Sequence, residues 1–388
     1  MIFVNNNSGG YVFLNHAPWF GYNLADCVFP FFMFIMGISI AFSLQSQMRR
    51  IEPQISSICF HIIRRSVLLF FLGIMINSIG ESRLQYIRIP GVLQRFAICY
   101  LVVALLHLVS LHESRRNVDV EEPNNTSFRR HFIDIYPYWI EWLFVVAMTA
   151  IYFSLTFDWK YDDNCPLGYQ GPGGLYDNAA NPNCTGGAAR ALDVKILGVN
   201  HIYKHSSAKK VFENELTHDP EGILGTTTSI LIVFLGLQVG KIFTLFRSHR
   251  QRLLRWAVWC FLTGMLALCL WLNGSIPVCK NLWSLTYVMF SAFLAFIVLI
   301  VLYILIDVKC WWVRGAPFNI PGMNSIFLYV GHEVCAEIFP FYYEVDNTSH
   351  AWLLFRSVMT TALWFIQQSK RTESNIFDPL FVRHLLIS

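Results

Sequence analysis

Charged residues are scarce in this chain of 388 residues: they make up 14% of it, whereas 55% of the residues are hydrophobic. A soluble domain of this length needs far more charge to cover its surface, so the composition excludes one and predicts a polytopic membrane protein. The net charge of +4 is small and scattered along the chain, and it gives no indication of nucleic-acid binding. We therefore expect a lipid bilayer, and no nucleic acid, among the partners.

Motifs that would indicate other chemistry are missing. The ten cysteines include no CxxC pair, and His332-Glu333 lacks the second histidine of a zinc-binding helix, so we expect no metal. There is no Walker loop, no GxGxxG and no GxSxG elbow. No internal repeat is visible, which argues against a transporter built from duplicated halves. The start MIFVNNNSGG does not have the form of a cleavable signal peptide.

Long apolar runs are the main feature of the sequence. Nine segments approach the roughly 20 apolar residues that a membrane-spanning helix needs. They are residues 24–44, 64–80, 91–111, 138–157, 222–243, 256–272, 282–306, 320–340 and 351–367. Backbone polar groups in lipid must be satisfied within the segment. We therefore predict an all-α, polytopic transmembrane helical bundle with about nine spans and one large lumenal loop.

Lysine and arginine orient these spans. Basic residues concentrate in alternate connections, at 49–50 and 64–65, 115–116 and 129–130, 247–255, 309–314, and 370–371. By the positive-inside rule, these connections are cytoplasmic. The long connection at 158–221 then falls on the lumenal side.

The long loop has features of an oxidising, glycosylating compartment. Cys165 and Cys184 are predicted to be oxidised, either to each other or with Cys279 as a competing partner. The sequons at Asn183 and Asn347 both fall on the lumenal side, and we predict that they are glycosylated.

Polar residues lie near the predicted lumenal ends of several spans. His16 and Asp26 flank the start of the first span, and Arg95 lies one turn into the third. A further group follows later in the chain: Asp219, Glu221, Asn324, His332 and Glu333. Ionisable groups within a membrane are costly and usually face a cavity. These side chains are therefore predicted to line one polar chamber that opens mainly to the lumen.

Structural interpretations of the same residues stay open. His16 would then be a hydrated histidine at the membrane surface. Asp219 and Glu221 would cap the helix that follows the lumenal loop, since acidic residues and Pro220 suit a helix N-terminus. Arg95 and Glu333 would belong to ion pairs inside the bundle.

Seven motifs, in one order, carry a resemblance to a known family. They are HAPWFGYNLADCVFPFFMFIMG, RIPGVLQR, CPLGYQGPGG, NPNCTGGAA, DPEGILGT, KNLWSLTYV and PGMNSIFLYVGHEV. From about Phe3 to Ile366 the chain resembles the lysosomal heparan-α-glucosaminide N-acetyltransferase family. The resemblance implies a multi-pass enzyme of the lysosomal membrane. It would move acetyl from cytosolic acetyl-CoA to the terminal glucosamine of heparan sulfate in the lumen.

The resemblance also implies roles for individual residues. The family's active-site histidine, in an HA-x-W-x-G motif, corresponds to His16, and a family asparagine eleven residues earlier corresponds to Asn5. Charged and hydrogen-bonding positions of the family correspond to Arg95, Glu221 and His332.

In the implied reaction a glucosamine amine, protonated in an acidic lumen, must lose a proton to attack a thioester. Histidine suits this task because its ordinary pKa is about 6.5. Two routes stay open: an acetyl-imidazole on His16, or direct transfer with His16 as base, which we favour. Asp26 would orient the imidazole and Trp19 would stack on the sugar. Asn5 or Arg95 would stabilise the oxyanion.

The predicted organisation has five parts. Residues 1–23 are interpreted as the remnant of an N-terminal helix with a lumenal active-site loop, 24–157 and 222–367 as transmembrane helices, 158–221 as the lumenal loop and 368–388 as a divergent cytoplasmic tail. The missing family segments at the start, and the mismatch after Ile366, lead us to expect a truncated or alternative product.

Two rival functions stay open at this point, as does a homo-oligomer. A polar chamber inside a bundle also suits a transporter of anions or sugars. A membrane acyltransferase with another acceptor would keep the chemistry and change the substrate.

Overall fold

The computed structural model describes residues 2–5, 7–49, 54–79, 83–118, 132–204, 207–312, 315, 317–319, 322, 325–335 and 349–373. Within these ranges the regular structure is helical, apart from one isolated bridge between Phe20 and Cys279. The described part of the chain contains helices long and apolar enough to cross a membrane. The protein is therefore an all-α polytopic membrane protein, as the composition predicts.

Twelve α-helices lie in the described residues, and we number them in chain order. They are α1 (Ile2–Asn5), α2 (Leu24–Met48), α3 (Ile55–Asn77), α4 (Val92–Val118), α5 (Trp139–Phe153), α6 (Gly187–Leu197), α7 (Ser207–Phe212), α8 (Ile223–Leu245), α9 (His249–Leu272), α10 (Leu285–Tyr303), α11 (Ser325–Val334) and α12 (His350–Glu373). Single π-helical turns extend α5 to Asp158 and α10 to Val308.

Seven of the nine predicted spans are confirmed in the described residues, in α2, α3, α4, α5, α8, α9 and α10. The described residues thus hold seven candidate spans, against about nine predicted for the whole chain. The predicted span at 320–340 lies partly outside the described residues. The predicted span at 351–367 lies within α12, which is not among the described helices that are apolar enough to cross a membrane.

Helix α3 begins nine residues earlier than the predicted span at 64–80. The prediction stopped at Arg64 and Arg65 because charge is unfavourable in lipid. The structure places the Arg65 guanidinium over the ring of Tyr100, 4.9 Å from its centroid. A cation–π contact with the neighbouring α4 thus accommodates this charge within the helix.

The chain divides into two compact units, which are described separately. One comprises Met1–Ala17, Tyr22–Phe29 and Val298–Ser388; the other comprises Pro18–Gly21 and Pro30–Ile297. In the first, α1 packs against α12. There the Nδ1–H of His350 donates a hydrogen bond to the Gly9 carbonyl over 3.1 Å.

Helix α8 is the core of the second unit, and most of its residues are buried. Glycines let it lie directly against α2: a Cβ on Gly37 would collide with the carbonyl of Val233, and one on Gly236 with the carbonyl of Phe34. Small residues at such a crossing allow close backbone packing in a membrane. Helices α4 and α5 also pack against α8.

The described part of the connection between α5 and α8 contains two helices of its own, α6 and α7. It contains a disulfide between Cys165 and Cys184, the first of the pairings that the sequence suggests. The Asn183 side chain is exposed, whereas Thr185 of its sequon is buried. Asn347, the other predicted glycosylation site, lies outside the described residues.

Candidate active site

His16 and Asp26 form a close pair in the first unit. The His16 Nδ1 lies 2.7 Å from Asp26 Oδ1. The Asp26 side chain is fully buried, and its second oxygen, Oδ2, accepts hydrogen bonds from the backbone N–H groups of Ala17 (3.2 Å) and Asn23 (2.9 Å). The segment that leads into α2 therefore wraps around this carboxylate and fixes its position.

The pair is arranged as a base and an orienting carboxylate. With Nδ1–H donating to Asp26, the ring nitrogen that does not contact this carboxylate is Nε2. The His16 side chain is 42% exposed, so the imidazole lies at a surface of its unit. This geometry favours the His16 tautomer with its proton on Nδ1, in which Nε2 is the basic nitrogen.

Asn5 and His332 also meet in the first unit. The Nδ1–H of His332 donates to the Leu328 carbonyl, so its Nε2 can accept from the Asn5 amide, 3.0 Å away. The same amide nitrogen donates to Glu333 Oε1 over 2.7 Å. The side-chain amide nitrogen of Asn5 thus bonds to two residues of α11, His332 and Glu333. Asn324, the other predicted polar residue near this helix, lies outside the described residues.

Arg88 joins two of the predicted residues in the second unit. Its guanidinium donates to both oxygens of Asp219 over 2.8 and 2.6 Å, and to Glu221. Burial favours a raised pKa for Asp219. The hydrogen bonds and charge of Arg88, together with the amides of Glu221 and Tyr203, instead hold that pKa below its ordinary value.

Arg95 is 2% exposed and lies in the first turns of α4. Its Nη2 donates to the carbonyls of Pro220 (3.2 Å) and Gly222 (2.9 Å), and its guanidinium stacks over Trp283 at 4.7 Å. Among the described residues, its Nε and Nη1 have no hydrogen-bond partner. None of the ion pairs found within the described residues includes Arg95.

Trp19 is 1% exposed, so it presents no stacking face to a sugar in this structure. Its indole N–H donates to the Gln170 carbonyl over 2.9 Å, and its ring lies 5.3 Å from that of His218. The Nε2–H of His218 in turn donates to the Asn281 carbonyl. Burial lowers the pKa of His218 below its ordinary value. Trp19 thus packs the loop segments together.

A second buried polar cluster lies at the other end of α4 and α8. His107 Nδ1 lies 2.8 Å from Glu141 Oε1, and Lys241 Nζ lies 2.9 Å from Glu141 Oε2. Nearby, Arg255 pairs with Asp134 over 2.8 Å. We define the first three residues as the His107–Glu141–Lys241 network. It was not among the predicted site residues, although charge within an apolar run was the available signal.

The predicted site residues therefore fall into several groups. His16 pairs with Asp26, Asn5 with His332, and Glu221 lies with Arg88. Arg95 contacts the same short segment as Arg88. Since these groups belong to two separately described units, a single common chamber stays a prediction. Within the described residues, no group of three His, Cys, Asp or Glu side chains could hold a metal ion.

The chain is 42% identical over 376 residues to the heparan-alpha-glucosaminide N-acetyltransferase of Homo sapiens, and 40% identical over the same length to that of Mus musculus. Each alignment covers 94% of the chain. The chain belongs to the heparan-alpha-glucosaminide N-acetyltransferase family. It spans 56% of the length of these two curated relatives. No protein-family model matches the chain.

Proposed function

We propose that this chain forms the membrane bundle of an N-acetyltransferase. It moves acetyl from cytosolic acetyl-CoA to the amine of a terminal glucosamine of heparan sulfate in the lysosomal lumen. The observation that carries the proposal is the histidine held by a buried carboxylate, His16–Asp26, in a chain 42% identical to a protein of that name. The seven apolar helices support a multi-pass location in the membrane.

In direct transfer, the glucosammonium group first releases one proton to lumenal water. As the neutral amine attacks the thioester carbon, His16 Nε2 takes a second proton from its nitrogen; the C–N bond forms and the C–S bond breaks. The leaving CoA sulfur then takes that proton from the imidazolium, so the products are the acetylated amine, CoA thiol and one proton in the water, and the histidine returns to its starting state. Asp26 stabilises the transient positive charge on the ring and keeps the reactive tautomer.

The alternative route places the acetyl group on His16 first. The imidazole nitrogen attacks the thioester, CoA leaves, and the amine then removes acetyl from the ring. The 42% exposure of the His16 side chain favours direct transfer, because water would reach and hydrolyse an acetyl-imidazole. Acetyl-CoA is a co-substrate in both routes, and neither route requires a metal.

The test is acetylation by membranes that contain this chain, with radioactive acetyl-CoA as donor and glucosamine as acceptor. We expect acetylglucosamine to form with the parent chain. His16→Ala should lower the rate by about 100- to 10,000-fold, the usual effect of losing a general base. His112→Ala is the matched control, since His112 is also exposed and lies in α4, away from His16 in the sequence. A parent chain that forms no product, or a His16→Ala chain with near-parental turnover, would contradict the proposal.

A further inference from the structure

Three side chains hold residues 219–223, the segment in which the chain enters α8. Arg88 binds the carboxylates of Asp219 and Glu221, and Arg95 donates to the carbonyls of Pro220 and Gly222. The Asp219 side chain also accepts from the Glu221 amide, as is typical of a turn that begins Asp-Pro. This segment, residues 219–223, therefore contains Glu221 and supplies two carbonyl acceptors to the Arg95 guanidinium.

Asp193 supplies the third contact, from α6. Its Oδ1 accepts the N–H of Ile223, the first residue of α8, over 2.8 Å. Gly222 precedes Ile223 and offers no side-chain cap. Asp193 thus caps α8 from a different helix, a role that the sequence assigned to Asp219 and Glu221.

The Asp193 site fits closely around the carboxyl group. The residue is 1% exposed, and its Oδ2 has no hydrogen-bond partner among the described residues. A Cβ on Gly222 would collide with that oxygen, so the carboxyl lies directly against the helix start. A carboxylate with an unpartnered oxygen in such a site is strongly destabilised, whereas a neutral carboxyl is much less so.

We propose that Asp193 is a positioning residue, which in its neutral form clamps the start of α8 and so places Arg95 and Glu221. The effect on catalysis rests on the proposed acetyl transfer, whereas the clamp itself does not. Burial raises the pKa of Asp193 to about 7, which keeps the carboxyl neutral in an acidic lumen.

The charged groups around Asp193 come from several elements. Arg95 on α4 lowers its pKa and Asp219 raises it. Arg190, which lies on α6 with Asp193, donates to the Thr217 carbonyl. The segments Ser154–Asp158 and Val199–His201 also pack against α6. Their titratable groups are Asp158, which is exposed, and His201, which donates to the Ile87 carbonyl. None of these forms a hydrogen bond with Asp193 among the described contacts.

The direction of the pH effect follows from the raised pKa. The folded chain binds a proton at Asp193 that the unfolded chain releases near its ordinary pKa of 3.8. The clamp is therefore fully stabilising below about pH 4, and its contribution is lost as the pH rises toward 7. Transfer should likewise fall about tenfold between pH 6 and pH 8, because only the neutral form holds the segment.

The experiment compares the parent chain with Asp193→Asn, which mimics the neutral carboxyl. Thermal unfolding of the purified chains, measured from pH 5 to pH 8, reports the clamp without any need for activity. We expect the unfolding temperature of the parent to fall relative to that of Asp193→Asn as the pH rises. The ratio of acetyl transfer at pH 8 to that at pH 6 should be about tenfold higher in the variant.

Asp163→Asn is the matched control, because Asp163 lies in the same loop with a side chain that is 91% exposed. Its unfolding curve should follow that of the parent at every pH. Parallel unfolding of the parent and Asp193→Asn across the range would overturn the clamp, as would an Asp193→Asn chain that is unfolded at pH 5. A stable chain with the expected unfolding shift but no acetyl transfer would support the clamp and contradict the proposed function.

Discussion

Two histidine–carboxylate pairs have almost the same geometry in this protein. His16 Nδ1 lies 2.7 Å from Asp26, and His107 Nδ1 lies 2.8 Å from Glu141. Their surroundings differ. The His16 side chain is 42% exposed, whereas that of His107 is 2% exposed. A short distance between a histidine and an acid therefore does not by itself identify a catalytic base.

The two carboxylates also differ in the groups that their second oxygen binds. In Asp26 the second oxygen accepts hydrogen bonds from two backbone N–H groups, which position the acid. In Glu141 it binds the ammonium of Lys241, which also lies 4.2 Å from the centre of the Tyr138 ring. The His107–Glu141–Lys241 network is thus a closed ion cluster. We assign it to the stability of the bundle, whereas the His16–Asp26 pair is the one for which we propose chemistry.

The largest expected effect comes from breaking the closed network. Glu141→Gln leaves Lys241 buried without a counter-charge, and removing one partner of a buried ion pair typically destabilises by about 3–5 kcal/mol. We expect a marked loss of folded protein, measured by size-exclusion chromatography and thermal unfolding in detergent. Adding Lys241→Met should restore much of the loss, because the unpaired charge is then removed. A Glu141→Gln chain as stable as the parent would show that the network is not a stabilising element.

The next effect concerns the orienting acid of the other pair. Asp26→Asn keeps an oxygen for the backbone amides but presents an N–H to His16, which favours the tautomer with the proton on Nε2. That tautomer cannot accept a proton at Nε2, so we expect the rate of acetyl transfer to fall by about 100-fold or more. The change is measured as kcat per folded molecule, with Asp163→Asn as the control. Turnover within about threefold of the parent would remove Asp26 from the mechanism.

The smallest effect is expected from His107→Ala. The substitution removes one hydrogen bond to a charged group, and Glu141 keeps its bond to Lys241. The free energy of unfolding should fall by about 1.5–3 kcal/mol. Chemical or thermal unfolding measures this change against the larger loss in Glu141→Gln. A loss equal to that of Glu141→Gln would mean that the histidine, and not the lysine, balances the acid.

The bundle was largely predictable because apolar runs mark membrane spans directly. The start of α3 was not, since the contact that accommodates Arg65 is made with Tyr100 on another helix. Helix α12 shows the reverse error: its apolar stretches suggested a span, but its polar residues make it too hydrophilic to count as one. Hydropathy identifies the helices, whereas where a helix begins depends on the contacts it makes with neighbouring helices.

The site was predictable where its parts lie close in the sequence. His16 and Asp26 are ten residues apart at one helix start, so their pairing could be expected. Arg88 was not among the predicted site residues, and its partner Asp219 is 131 residues away in the sequence. Glu141 and Lys241 are separated by 100 residues. One sequence shows that such charges need partners, but it does not identify them.

The most direct test of the contrast between the two pairs is the turnover of His16→Ala and His107→Ala. Both chains are purified, the folded fraction of each is determined, and the initial rate of acetyl transfer from acetyl-CoA to glucosamine is expressed per folded molecule. We predict that His16→Ala folds like the parent and loses transfer by at least about 100-fold. His107→Ala should be less stable but transfer at close to the parental rate. Loss of transfer in folded His107→Ala, with near-parental transfer in His16→Ala, would contradict the account.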